Sequence, residues 1–216
     1  MSNNVRNIFF LALFLNVICA SQAQEKWNEV KNKEGIKVFT RTNTDMSFKE
    51  FKATMIIDGK VNDVLSVLFD VEGLTTWGYN ISKSELIERD GDSLQIYYAV
   101  AKAPWPYKDR DGIYSNKMIW DKQLKTLLVE IDLIESDMYV NNDFVRMDGY
   151  GCWIIKERLS GKIEIDFQMQ INPGGSIKAW IANMFVSDSP FYTMKKLREA
   201  LKNERYQGKT YTLTEK

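Results

Sequence analysis

Strict alternation of apolar and polar residues over ten positions is the feature that most constrains how this chain can fold. In residues 162–171 every odd-numbered side chain is apolar and every even-numbered one is polar, and residues 129–133 alternate in the same way. Successive side chains of a β-strand point to opposite faces of its sheet. Both segments therefore predict strands with one face in water and the other against an apolar layer.

Further segments rich in β-branched and aromatic residues predict a series of strands joined by short turns. The Asp90-Gly91 and Ser160-Gly161 steps are typical of tight hairpins. Because such turns join sequential neighbours, the sheet is expected to be antiparallel. The predicted strands are 36–42, 48–57, 81–88, 94–101, 113–120, 126–134, 144–159 and 162–171, and short helices are predicted at 27–33 and 61–69.

A wide apolar stripe near the C-terminus predicts a long helix that covers the sheet. Its first part has the spacing i, i+3, i+4, i+7 and i+8, and its second part follows Pro190, which predicts a break, a kink or a new helical segment. The stripe consists of Ile177, Trp180, Ile181, Met184, Phe185, Phe191, Met194, Leu197 and Leu201. The predicted fold class is α+β, a curved antiparallel β-sheet wrapped around one long C-terminal α-helix.

The N-terminus has the three-part pattern of a cleavable secretory signal. One positive charge precedes an apolar run at 8–15, and small residues follow up to Ala23. A retained membrane anchor is the alternative, but the apolar run is short for a span of about 20 residues. A lipid-modified Cys19 is disfavoured because Ile18 precedes it. We predict a signal peptide at 1–23, a domain at 24–207 and a flexible tail at 208–216, in a protein that is periplasmic or secreted.

Absent residue types exclude several classes of function. The chain has no histidine, which excludes Ser-His-Asp and Cys-His catalytic sites and imidazole-based metal sites. Its charge is balanced, with 29 basic and 29 acidic residues, whereas nucleic-acid-binding proteins concentrate basic charge. We therefore predict no catalytic residue, no metal, no cofactor and no nucleic-acid partner, and we expect a monomer.

Three short motifs resemble those of the START (StAR-related lipid-transfer) family. That family shows a Pro-Trp-Pro segment followed by Arg-Asp, a Val-Arg strand start, and a Pro-Gly-Gly entry into a C-terminal helix with Trp, Leu or Ile, and Asn. Their order and spacing fit from about residue 27 to residue 201. The matching residues are Pro104-Trp105-Pro106, Arg110-Asp111, Val145-Arg146, Pro173-Gly174-Gly175, Trp180, Ile181 and Asn183.

The resemblance implies a helix-grip fold that encloses a cavity for one lipid or other hydrophobic small molecule. Family members are carriers or sensors rather than catalysts, and transient contact with a membrane surface would accompany that role. Residues on the inward sides of the strands and on the helix stripe are candidate cavity-lining residues, of which only part is expected to contact ligand. They are Leu127, Val129, Ile131, Ile165, Phe167, Met169, Trp180, Met184, Phe185 and Leu197.

Tyr98, Arg110 and Asp111 are candidate polar groups of the cavity or of the loop beside it. A structural role for Arg110 and Asp111, as an ion pair that fixes the loop, is the alternative.

The segment at 187–190 is a candidate gate, because ligand entry requires part of the helix to move.

Two other functions remain open at the level of sequence. One is an enzyme similar to polyketide cyclases or aromatases, with Tyr98 or Asp111 as an acid or base of shifted pKa. The other is a protein-interaction module with a filled core. The absence of histidine favours the binding protein over the enzyme.

Overall fold

The computed structural model describes residues 26–42, 48–139 and 141–215, together with all side chains there except those of 179, 180 and 183–185. The signal peptide predicted at 1–23 lies outside the described residues. The elements in chain order are β1 (Asn28–Lys33), β2 (Ile36–Arg41), β3 (Glu50–Asp58), α1 (Val61–Phe69), α2 (Leu74–Trp77), β4 (Ile81–Asp90), β5 (Leu94–Ala101), β6 (Arg110–Asp121), β7 (Thr126–Leu133), β8 (Val145–Arg146), β9 (Asp148–Glu157), β10 (Lys162–Asn172), α3 (Ala179–Ala200) and β11 (Thr214–Glu215).

A single curved sheet with the strand order β1-β2-β3-β10-β9-β7-β6-β5-β4 forms the body of the molecule. All neighbours along this path are antiparallel, while the short strands β8 and β11 pair with β6 in parallel. The predicted hairpins β4–β5 and β9–β10 are confirmed. The α+β helix-grip fold predicted from the sequence is therefore the fold of this chain.

One predicted helix is wrong. Residues 28–33 form the edge strand β1, which pairs with β2 through a turn in which Glu34 and Gly35 both have positive φ, 55° and 75°. That conformation is typical of two-residue hairpins. Val30 is exposed, so the apolar residues of this segment do not form a buried helical stripe.

The helices α1 and α3 cover the concave face of the sheet and complete its core. On α1 the predicted apolar spacing buries Val64 and Leu65 completely, and on α3 Met194 and Leu197 are equally inaccessible. These side chains join the inward residues of β2, β3, β7, β9 and β10 in one large cluster. One end of the groove beneath α3 is thus filled with protein.

Helix α3 is continuous through Pro190, although the sequence predicts a break, a kink or a new segment there. A proline inside a helix removes one backbone hydrogen bond and costs about 3 kcal/mol. Burial of Phe191, Met194 and Leu197 offsets this cost. Lys31 also pairs with Asp188, one turn before Phe191, and Lys195 pairs with Glu34 at 2.8 Å.

The predicted flexible tail at 208–216 is placed against the body over the part that the structure describes. Tyr211 stacks on Phe69 with ring centroids 5.1 Å apart and donates a hydrogen bond to Ser66 Oγ. Thr214–Glu215 pairs with β6. Among the described residues, no helix has the length and apolar character that a bilayer span requires.

Candidate ligand-binding site

A cavity of about 190 Å³ lies between the sheet and the N-terminal part of α3. Its walls come from β3, β5, β6, β7, β9 and β10, from α2 and the loop after it, and from α3. Most of the lining is apolar. The groove beneath α3 is therefore divided, with a packed core at one end and a cavity at the other.

Four aromatic side chains, which we call the aromatic wall, form one side of the cavity: Phe51, Trp77, Trp153 and Phe167. The rings of Trp153 and Phe167 are stacked, with centroids 3.9 Å apart and planes 7° apart. Phe51 meets Phe167, and Trp77 meets Trp153, edge to face. Flat rings of this size offer a large apolar contact area at a low cost in side-chain entropy.

Tyr97 and Tyr114 lie opposite each other on β5 and β6 and also line the cavity. Their rings stack, with centroids 5.0 Å apart. Burial raises the pKa of both phenols well above the usual value near 10, and the proximity of Tyr114 raises the pKa of Tyr97 further. Both hydroxyl groups stay protonated at neutral pH and can act as hydrogen-bond donors.

Arg110 is the first residue of β6 and lines the cavity. Its side chain is nearly inaccessible, with an exposed fraction of 6%. Nε donates a hydrogen bond to the Pro173 carbonyl at 3.3 Å, and Nη1 donates to the Lys108 carbonyl. Desolvation lowers the pKa of the guanidinium, while the nearby Asp109 and Tyr107 act in the opposite direction. An arginine keeps its charge even so.

The Pro-Gly-Gly motif brings the chain from β10 to α3 along the cavity edge. Gly174 and Gly175 both have positive φ, 64° and 59°. A Cβ atom on Gly174 would lie 2.6 Å from the Arg146 carbonyl oxygen, so only glycine allows this close approach to β8. The motif thus fixes Pro173, whose carbonyl holds Arg110.

The structure separates the predicted lining residues into two groups. Ile131, Phe167 and Met169 line the cavity. Leu127, Val129, Ile165 and Leu197 are fully buried in the packed core and are not among the lining residues, because α1 and the C-terminal part of α3 fill that end of the groove. The side chains of Trp180, Met184 and Phe185 lie outside the described part of α3, and their contact with ligand stays a prediction.

Of the predicted polar groups, only Arg110 lines the cavity. Asp111 is its neighbour on β6 and points to the convex face of the sheet, as strand geometry requires. There Asp111 pairs with Arg146 at 3.0 Å and accepts a hydrogen bond from the Tyr98 hydroxyl at 3.2 Å. Tyr98 belongs to a small second cluster with Val100 and Ile113, so it packs away from the cavity.

Sequence reasoning missed the aromatic wall apart from Phe167, and it missed Tyr97, Tyr114 and Met147, which also line the cavity. The sequence did contain evidence for Tyr114. It lies four residues from Arg110 on one strand, and residues an even number of positions apart share a face of the sheet. Within the described residues there is no cluster of three or more cysteine, aspartate or glutamate side chains that could hold a metal ion.

A STAR-related lipid transfer protein from Xanthomonas axonopodis has 30% sequence identity to this chain, and its crystal structure superposes on this one with a TM-score of 0.76. The match covers 82% of this chain and 99% of the other. This chain belongs to the StAR-related lipid transfer (START) family. The START fold is also that of human STARD10, with a TM-score of 0.72 at 21% identity over 82% of this chain and 74% of the other.

An uncharacterized protein of Pseudomonas aeruginosa is 25% identical to this START protein over 187 residues. The match covers 85% of this chain and 90% of the relative. No family model matches the sequence.

Proposed function

We propose that this START protein binds one lipid or other hydrophobic small molecule in the cavity and acts as a carrier or sensor without catalysis. The observation that carries the proposal is the cavity itself, which the sheet and α3 enclose and the aromatic wall lines. Ligand sites are concave and mostly apolar, with a few polar groups that orient the ligand. The Xanthomonas relative is named for lipid transfer, which supports the same function.

The positions of Tyr98 and Asp111 argue against the alternative of a cyclase or aromatase. Both residues lie in the network on the convex face, where neither reaches a molecule in the cavity. No described carboxylate lines the cavity, and the chain has no histidine. A general acid–base reaction needs a group of suitable pKa within hydrogen-bond reach of the substrate. Tyr97 and Tyr114 do line the cavity, but burial raises the pKa of both phenols well above 10, which makes them poor proton donors at neutral pH. These placements support binding without catalysis.

Native mass spectrometry of the purified protein, followed by denaturation and identification of released molecules, tests this proposal. We expect a monomer that carries one apolar molecule at one-to-one stoichiometry. Protein that is empty in every preparation, and that takes up nothing from lipid vesicles, would contradict it.

We further propose that the Pro104–Asp109 loop touches the membrane surface when ligand is exchanged. Trp105 is 93% exposed, and it lies two residues from Ala103 and three from Lys102, which both line the cavity. Tryptophan favours the interface between lipid and water. Lys108 on this loop and Lys102 just before it would favour an anionic surface.

Vesicle co-sedimentation of the Trp105→Ala variant tests this contact. Leu159→Ala is a matched control, because Leu159 is 91% exposed in the β9–β10 turn, at the opposite end of β10 from Pro173. We expect Trp105→Ala to reduce binding to anionic vesicles severalfold and Leu159→Ala to leave it unchanged. Equal effects of the two substitutions would refute a specific contact by Trp105.

We also propose that the protein is exported, and that its signal is cleaved after Ala23. The pattern at 1–23 supports this. Expression of the full chain in a Gram-negative host, with intact-mass measurement of the periplasmic and cytoplasmic fractions, is the test. A periplasmic product that begins at Gln24 is expected, whereas retention of residues 1–23 on cytoplasmic protein would exclude export.

A further inference from the structure

All charged side chains that line the cavity, among the described residues, are positive. They are Lys49, Lys102 and Arg110. Lys49 and Lys102 are exposed, whereas the buried Arg110 has lost hydration, and an anion that pairs with it restores the lost free energy. The composition of the lining thus favours a negatively charged ligand group.

Arg110 is the most buried of the three, and no described carboxylate forms an ion pair with it, although the charge of Asp109 acts on it at longer range. None of the described carboxylates lies within 4.0 Å of its guanidinium. Both sequence neighbours of Arg110 are acidic and have other partners. Asp109 Oδ1 accepts a hydrogen bond from the Ala103 amide at 2.9 Å, and Asp111 pairs with Arg146 on the convex face. Nε and Nη1 of Arg110 donate to carbonyl oxygens, while Nη2 donates to no described residue. The Nη2 group of this buried cation is therefore left to donate to a ligand.

The size of the cavity limits the rest of the ligand. Its volume of about 190 Å³ is below the roughly 300–1,000 Å³ that is typical of sites for drug-sized molecules. This volume favours a single alkyl chain over a lipid with two chains. Tyr114 lies four residues beyond Arg110 on the same face of β6, roughly 13 Å along the strand at about 3.3 Å per residue.

We propose that the ligand is a single-chain amphiphile with an anionic head, which binds the Arg110 guanidinium while its chain runs past Tyr114 to the aromatic wall. This inference rests on the proposed function and names its ligand class. A carboxylate of a fatty acid and the phosphate of a single-chain phospholipid share the required chemistry, because arginine hydrogen-bonds both.

Displacement of the neutral dye Nile red from the purified protein tests the inference with ligands of equal chain length. Laurate and dodecyl phosphate are the two anions, dodecanol is the neutral counterpart, and dilauroyl phosphatidylglycerol is the anion with two chains. We expect one or both single-chain anions to bind at least about tenfold more tightly than dodecanol, as a charge-assisted hydrogen bond implies, and more tightly than the lipid with two chains. The tighter of the two anions identifies the head group.

Arg110→Met should weaken binding of the preferred anion at least about tenfold and leave dodecanol unchanged. Arg158→Met is the control, since Arg158 pairs with Glu164 on the surface, at the far end of β10. If Arg110→Met does not fold, the inference is still tested on the unmodified protein, by comparing the affinities of the anions with that of dodecanol.

The two proposals fail in different ways. If dodecanol or the lipid with two chains binds as tightly as the single-chain anions, or if Arg110→Met folds and binds the anion normally, this inference is overturned while the carrier function stands. If neither the dye nor any of the four ligands binds, the proposed function itself fails.

Discussion

Arg146 holds the Asp111 carboxylate with two parallel hydrogen bonds, Nε to Oδ1 at 3.1 Å and Nη2 to Oδ2 at 3.0 Å. The same guanidinium donates to the carbonyl oxygens of Ser136, Met138 and Tyr139. A single ion pair therefore fastens the segment between β7 and β8 over the convex face of the sheet. Asp111 is 2% exposed, so the pair is partly shielded from water.

Removal of Asp111 should destabilise the fold. Asp111→Ala leaves Arg146 without its anion and Tyr98 without its acceptor, and we expect the free energy of unfolding to fall by about 2 kcal/mol. Urea denaturation measures it. Asp58→Ala is the matched control, because Asp58 is exposed in its pair with Lys162 and such pairs contribute less than about 1 kcal/mol. Equal losses in the two variants would show that the Asp111 pair is no stronger than a surface pair.

Packed-core and cavity-lining residues on β10 should respond differently to truncation. Ile165→Ala is expected to lower the free energy of unfolding by about 2–5 kcal/mol and to leave the ligand preference unchanged, because Ile165 is fully buried in the core. Met169→Ala should be less destabilising and should shift the preference towards longer chains, because Met169 borders the cavity. Denaturation and ligand displacement measure the two effects. A shift in ligand preference for Ile165→Ala would contradict this division of the groove.

Stability should fall as the pH rises through the range from about 10 to about 12. Burial, and then the charge of Asp111, raises the pKa of Tyr98 to about 12, whereas an unfolded tyrosine titrates near 10. The unfolded chain loses its proton first, so the stability that is present below pH 10 is lost as the pH increases. Urea midpoints at pH 9, 10 and 11 measure the slope. Tyr98→Phe should reduce this slope, and an unchanged slope would rule out a contribution from Tyr98.

The two halves of α3 should exchange amide hydrogen at different rates. The half after Pro190 buries Met194 and Leu197, whereas the half before it borders the cavity, and Pro190 cannot donate to the carbonyl of residue 186. We expect exchange at 181–189 to be at least tenfold faster than at 191–200, as opening of a gate requires. Protection of 181–189 equal to that of β10 would exclude a gate there. Asp188→Ala, which removes the pair with Lys31, should accelerate exchange at 181–189 further.

The local pattern of the sequence was sufficient for most of the secondary structure. Strands β10 and β7 have apolar residues with a period of two, and α1 and α3 have them at helical spacing. These patterns involve only residues close in sequence, so they predict the element in any fold that leaves one face of it in water. The edge strand β1 was predicted as a helix, because its one apolar residue, Val30, is exposed and its pairing with β2 depends on the turn at Glu34 and Gly35. The short elements α2 and β11 were not predicted.

The side of β5 that faces the cavity could not be predicted from the sequence. Strand β5 has Tyr97 and Ala99 on one side and Tyr98 and Val100 on the other, and both sides are buried. The more apolar side faces the second cluster under the segment that Arg146 fastens, so apolar character did not identify the side that faces the cavity.

The sequence by itself determined the sheet, the helix that covers it and the inward side of the amphipathic strands, because hydrophobic periodicity follows from backbone geometry. Only the tertiary structure decided that Leu127, Val129 and Ile165 lie in the core while Ile131 and Met169 line a cavity. All five side chains face inward in the same alternating pattern. What separates them is how far α1 and the buried half of α3 extend along the groove, and that is set by packing between segments distant in the chain.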